Sequence, residues 1–576
     1  MPSRDDIHLL TGHLGGNPDG SGAAVAVLPD GRAPQRVELL AHDGTVLHEL
    51  AAGPVEAVPG WHTPPFARIA LPSGLAPGRY TVRALAADGR ESRSHAFEIG
   101  PDRLQRQTMS DVLAYFKAMR SSGEIDRKDR AAALWGDRTG RTVDARGGWL
   151  DASGDTSKFL SHLTYTRTMS PQQTPLCAWA MMAARDALTE RHPALLRSLS
   201  ARLRDEALWG ADFLVRFRAP EGYFYTGIFD ALTKRLDERV VTAPLAECVR
   251  TDRYQAAYRQ GGGLAIAALA RASTLDDDGE FTRAEYLAAA RQGFDHLEAH
   301  NLEYLDDGTE TVIDDYAALL AAAELAAADP GNRAARQAAG HRARMLLSRY
   351  VRPADGTPGW FTGDAEGRPF FHAAEAGLPM LALLRFARLL PQAEEAGPAR
   401  ALAVEALLDT LARSRAVPNP FGYPRQRAQP ADGDPQDSFF FPHANETGYW
   451  WQGENATIAS LAAAASACAA LGEADGPSAA DRERLDAFAD DQLAWITGRN
   501  PFDSCMIQGR GRNNVDYASD FPNIPGGIVN GITSGWSDEQ DIAFLPAEAP
   551  PGESWRWAEQ WIPHTGWFLL AVASAR

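Results

Sequence analysis

The chain has 576 residues, 45% of them hydrophobic and 23% charged, the balance of an ordinary globular protein long enough to bury a large core. Its 57 basic and 75 acidic residues leave a net charge of −18, which argues against nucleic acid or an anionic membrane as partner. The start, Met1-Pro-Ser-Arg-Asp-Asp6, lacks the pattern of a signal peptide, and no stretch is apolar enough for a membrane span.

Residues 1–100 read as β. Short runs at 24–28, 36–40, 67–71 and 80–83 alternate with Asp-Gly turn signals at 30–31, 43–44 and 88–89. A small immunoglobulin-like sandwich is expected. From 101 to 576 the pattern turns helical. Leu196, Leu199, Leu203, Ala207, Gly210 and Leu214 step by three and four, marking one buried helix face. Comparable segments fall near 103–121, 176–191, 195–217, 254–273, 281–303, 311–328, 332–351, 372–390, 398–414, 454–471, 478–497 and 556–575. Twelve helices without intervening strand runs predict six αα-hairpins closed into an (α/α)6 barrel, a mostly α fold whose site lies among the loops at one end.

Three long loops, 135–175, 416–453 and 498–555, hold most of the aromatic and polar material. The first contains Gly147-Gly-Trp149-Leu-Asp151-Ala-Ser-Gly-Asp155, two carboxylates on a glycine-broken segment. They suit the holding of a water, and Trp149 offers a flat face to a sugar ring; a turn with capping aspartates has the same composition. In the second, His443-Ala-Asn-Glu446-Thr-Gly-Tyr449-Trp450-Trp451-Gln-Gly-Glu454-Asn455 joins acids, tryptophans and amides as a sugar-reading loop would. Glu454 equally fits a first helical turn, and the tryptophans a core. After the third, Glu559 stands between Trp557 and Trp561. Apolar aromatic surroundings raise a carboxyl pKa, as a general acid requires, while the helix dipole gives a structural reason for the same residue. Cys177, Cys248, Cys468 and Cys505 are scattered without metal-ligand spacing. Free thiols, a cytoplasmic setting, and no metal or cofactor are expected.

Taken in order, these motifs resemble glycoside hydrolase family 9. The family's Gly-Gly-Trp-Tyr-Asp-Ala-Gly-Asp signature is matched at 147–155 with one residue inserted, Ser153. Its Leu-Gly-Arg-Asn-Pro segment is similar to Thr497-Gly-Arg-Asn-Pro501, a Pro-Gly-Gly element stands at Pro525-Gly-Gly527, and its C-terminal Asn-Glu falls at Ala558-Glu559. The resemblance implies an inverting glycosidase with Asp155 as base, Asp151 as its partner in holding water and Glu559 as acid. A Pro-His-His-Arg element is missing, and Arg510, Arg512, Asn513 and Asn514 are candidates for its place.

Further segments, Tyr254-Gln-Ala-Ala-Tyr258, Ile313-Asp-Asp-Tyr316 and Tyr449-Trp-Trp-Gln-Gly-Glu454, resemble cytoplasmic exo-acting members that trim short β-linked sugars. The substrate this implies is an oligosaccharide, foremost a chitosan oligosaccharide losing glucosamine. Cello-oligosaccharides, endo-β-1,4-glucanase action and plain sugar binding are the alternatives. Glu446 and Glu454, and also Asp314 and Asp315, are candidates to face the amine; the latter pair suits a helix cap equally. The oligomeric state is left open.

Overall fold

The computed structural model describes residues 6–20, 22–472, 476–517 and 520–576. Eight strands open the chain: β1 (His8–Leu10), β2 (Ala23–Val27), β3 (Arg36–Ala41), β4 (Val46–Leu50), β5 (Phe66–Ala70), β6 (Gly78–Leu85), β7 (Glu91–Arg93) and β8 (Phe97–Ile99). They form two antiparallel sheets, β1-β2-β5 and β4-β3-β6-β7, with β8 also on β6. Alternation decides which face is buried: Tyr80, Val82 and Ala84 of β6 point inward and meet Ala24, Ala26 and Ile69 of the other sheet.

The helices are α1 (Arg103–Met119), α2 (Gly123–Asp129), α3 (Thr174–Arg191), α4 (Pro193–Arg216), α5 (Gly262–Ala272), α6 (Arg283–His300) and α7 (Val312–Ala328). They continue as α8 (Arg333–Ser348), α9 (Leu378–Leu389), α10 (Ala396–Arg415), α11 (Asn455–Ala469), α12 (Ala479–Ile496), α13 (Trp555–Ala558) and α14 (Ile562–Ser574). An inner ring closes through α3, α5, α7, α9, α11 and α14, each packed on the next and α14 back on α3. Composition explains the placement. Helices α5, α7, α11 and α14 are Ala- and Leu-rich and buried on every side, whereas α1 buries one stripe, including Met109, Val112 and Phe116. Outer helices return the chain, so all six inner helices begin at one end. The site lies there.

All twelve expected helices are present, but strand runs do intervene: Ala132–Leu134, Thr142–Val143, Lys158–Phe159, Gly227–Phe229 and Val240–Pro244 pair in one sheet, with Arg250–Thr251 on Val240–Pro244, built by long-range bonds within the loops. Three helix boundaries also differ. The helix expected from 254 begins at Gly262, because 255–256 pairs as a strand with 224–225 and Tyr258–Gln260 forms a 3-10 turn. The one expected from 372 begins at Leu378. The one expected over 556–575 is broken, leaving Glu559 in extended backbone (φ −67°, ψ 142°) between α13 and α14.

The β-sandwich packs on the barrel. Trp61 lies with its ring centroid 5.3 Å from Phe439 and 6.2 Å from Trp495. Arg68 pairs with Asp491 at 2.8 Å and His13 with Asp503 at 3.0 Å. Among the described residues no helix is long and apolar enough to cross a membrane.

Candidate active site

The acidic loop is braced from below by a buried ion cluster. Lys158 Nζ lies 2.7 Å from Asp129 and donates to the carbonyls of Ala145 and Gly147. Arg239 also grips Asp129 and reaches the Thr156 carbonyl. Gly154 has φ 78°, and a Cβ there would lie 2.5 Å from Phe521 Cα, so a side chain fails on both backbone and space.

Backbone pairing brings the three acids together. Ser153 N–H donates to the Gln560 carbonyl (3.0 Å) and Ile562 N–H to that of Asp151 (3.1 Å), which sets 151–153 antiparallel to the break that carries Glu559. The extra residue, Ser153, is absorbed here: its Oγ donates to Gln560 Oε1 at 2.6 Å. Asp151 Oδ1 accepts from Gln173 Nε2 (2.8 Å) and Trp561 Nε1 (2.9 Å). Asp155 Oδ1 accepts from the N–H groups of Thr156 and Ser157. The hydroxyls of those two residues donate to buried Asp230.

Burial raises all three carboxyls, to different degrees. Asp151 lies well above the usual aspartate range, driven first by burial and then by the charges of Asp155 and Glu559. Asp155 is raised by burial, but the N–H groups of Ser157 and Thr156 oppose the rise. Glu559 is pushed up to about 8, by burial first and then by Asp155. Of the aspartates, Asp155 therefore has the surroundings that better favour a charge, while Glu559 keeps its proton at neutral pH.

A strap of chain, residues 160–173, crosses the barrel mouth. In front of α5, Gln260 Nε2 donates to the Thr164 carbonyl (2.9 Å). At α7, Thr311 Oγ1 donates to the Arg167 carbonyl (2.9 Å) and Arg167 pairs with Asp307 (2.6 Å). Ahead of α9, Gln172 N–H donates to Glu375 (2.8 Å). Thr168 N–H and Oγ1 donate to Glu446 before α11 (2.8 and 3.2 Å). The strap thus covers the half of the mouth framed by α5, α7 and α9. The three acids occupy the other half, framed by α11, α14 and α3.

Several expected sugar contacts are corrected by this geometry. Trp149 is fully buried under the loop, its Nε1–H bonded to Glu206 at 2.8 Å; it is core. Trp451 is buried, its ring stacked 3.7 Å from His443 and capped by Arg556 at 4.2 Å. Glu446 holds the strap, so it does not face an amine. Glu454 is 1% exposed and accepts from Phe441 N–H, and burial pushes it up to about 8, so it is neutral. Asn455 is buried, donating to the Val529 carbonyl, and Arg510 pairs with Asp111 on α1. Asp314 caps α7 through Thr311 N–H and pairs with Arg259, and Asp315 pairs with Arg342 and Arg349. Trp561 lies against the acids, donating to Asp151, and Trp450, itself buried, packs on Trp561 and His162. Tyr449 is 43% exposed, and Trp450 and Trp561 meet edge to face with centroids 6.0 Å apart.

Gln173, His162 and Asp230 were not expected. Gln173 and His162 stand in a segment whose only local signal is its closeness to the acidic loop, and Asp230 comes from a distant turn that carries no motif. Among the described residues no group of three His, Cys, Asp or Glu side chains is placed to hold a metal.

The chain matches glycosyl hydrolase family 9 over residues 106–519, well over half its length; the matched region includes Asp151 and Asp155 and ends before Glu559. A metagenome-derived family 9 endoglucanase superposes with a TM-score of 0.65 at 19% identity, over 99% of each chain. The family 9 endoglucanase J30 gives 0.64 at 20% identity, over 97% of this chain and 99% of that one. Identity at this level shows the shared fold. No curated protein matches the chain in sequence. The family match leads to one conclusion: the chain belongs to glycosyl hydrolase family 9, a family of inverting enzymes, and is a glycoside hydrolase.

Proposed function

We propose that the protein is an exo-acting, inverting β-glycosidase that removes single sugars from short β-1,4-linked oligosaccharides, foremost glucosamine from chitosan oligosaccharides. Asp155 is the general base: held by two N–H groups that favour its charged form, it takes a proton from the attacking water. Asp151 fixes that water from the second side. Glu559, still protonated at pH 7, gives its proton to the departing glycosidic oxygen. Inversion requires the acid and base to stand about 6.5–9.5 Å apart with water between, and their placement on two facing segments suits that requirement.

The observation that carries the exo reading is the strap. An endo-acting site needs a groove open at both ends, whereas residues 160–173 occupy the mouth over α5, α7 and α9 and are tied down at Glu446. A mouth covered on one side would admit a substrate by its end. Asp155, with Asp230 buried beside it through Thr156 and Ser157, supplies the negative charge that supports a cationic sugar. The alternative, endo action on a β-1,4-glucan, draws support from the endoglucanase names of the two superposed structures. We place the reaction in the cytoplasm, where Cys177, Cys248, Cys468 and Cys505, free in the fold, stay reduced.

Separating the products of a glucosamine hexamer and a glucose hexamer at early times tests this reading. Monomer with a shortened pentamer is expected, with the glucosamine substrate preferred. Equal early release of dimers, trimers and tetramers would overturn exo action.

A further inference from the structure

The hydrogen bonds around Asp151 determine the protonation of a neighbouring histidine. Asp151 Oδ1 accepts from the Trp561 indole N–H, which can only donate. Gln173 Nε2 is the second donor to the same oxygen (2.8 Å). The same nitrogen lies 2.8 Å from His162 Nδ1. With both amide hydrogens donated, Nδ1 is the acceptor and the ring proton sits on Nε2.

The ring cannot turn away from this arrangement. Phe159, Trp450 and Trp561 surround it, with centroids 5.3, 6.4 and 5.7 Å distant. The His162 side chain keeps 23% of its surface exposed, and among the described residues no protein group pairs with Nε2. Burial pushes the imidazole down to about 4, so it is neutral at working pH. The result is a pre-oriented, uncharged N–H group beside the acids, bordered by two tryptophans.

Resting on the hydrolase reading above, we infer that His162 is a substrate-binding residue whose Nε2–H donates to a hydroxyl oxygen of the sugar lying against Asp151. It supplies an imidazole donor in a chain whose 520–525 segment has none. Because Gln173 couples it to Asp151, the contact that reads the sugar also aligns the carboxylate that holds the water. A proton-transfer role does not suit it, because an imidazole titrating near 4 is a poor acid–base group at neutral pH.

The test compares wild type, His162→Phe and His162→Gln on glucosamine and glucose trimers and on monodeoxy analogues of the better one. His162→Phe keeps the aromatic packing and removes the donor. The expected result is a loss of about tenfold or more in kcat/KM, with neither limb of the pH profile moved and partial recovery in His162→Gln. One deoxy analogue should lose the same factor in wild type and nothing further in His162→Phe. Retention of kcat/KM within twofold, a shifted pH limb, or losses that add for every deoxy position would overturn the assignment. Calorimetric affinities of the same sugars for the three proteins read the contact without turnover. Failure of the wild type to hydrolyse any of them would thus count against the hydrolase reading alone. Should His162→Phe fail to fold, His162→Gln and the deoxy series on wild type decide between these outcomes.

Discussion

At the scale of the residue, the three acids are chemically alike and made different by their surroundings. Asp155→Ala removes the proposed base and is expected to lower kcat by about 10²–10⁴ with the fold intact; circular dichroism alongside kinetics checks it. Because Glu559 must stay protonated and titrates at about 8, activity should fall as pH rises through that value. Stability carries a related signature. A carboxyl whose folded pKa exceeds its unfolded value of 4.5 costs nothing below pH 4.5, and its cost grows until pH passes about 8. Glu559→Gln should therefore raise Tm at pH 8 and leave it nearly unchanged at pH 4; the opposite ordering would contradict the burial of this group. Trp149 acts differently. Trp149→Phe leaves Glu206 short of one donor and should cost about 1–3 kcal/mol of stability without changing KM. Asp151, Asp155 and Glu559 are legible in the sequence because a short local pattern carries each of them. The inward turn of Trp149 is not, since the same pattern does not say which side of the loop faces the core.

At the scale of the element, helix periodicity reveals the barrel, but the pieces that shape the site follow long-range bonds. Glu559 leaves the helix because its backbone carbonyl accepts from Asn530 N–H (2.7 Å) and its neighbours pair with 151–153. Pro563, at the second position of α14, is the local mark of that break. The strap is likewise set by distant partners such as Gln260 and Glu446, 96 and 278 positions away. Glu446→Ala removes the acceptor for Thr168 N–H and Oγ1 and should loosen the strap. Longer oligosaccharides should then gain relative to trimers, and internal cleavage products should appear in chromatograms. An unchanged product pattern with an unchanged Tm would mean the strap does not depend on that contact.

At the scale of the whole molecule, the sandwich and the barrel share one core. Leu10, Val25, Trp61 and Phe66 of the first belong to the same buried cluster as Trp495 and Phe421 of the second. Trp61→Ala should lower Tm by opening that shared core, with a cost of about 3–5 kcal/mol, while kcat at 25 °C holds because the rings it packs on, Phe421, Phe439, Phe440 and Trp495, belong neither to the strap nor to the acidic segments. Differential scanning calorimetry reads the shift. From sequence the two parts are visible as a change of period at about residue 100, but their docking is not, because it is written in single aromatic and charged side chains. The central claim, hydrolysis at a chain end with inversion through Asp155 and Glu559, is tested most directly by ¹H NMR of the glucosamine oligosaccharide reaction in its first minutes. Free α-glucosamine should appear before mutarotation, with no internal fragments; initial β-glucosamine, or early internal fragments, would contradict inversion at a chain end.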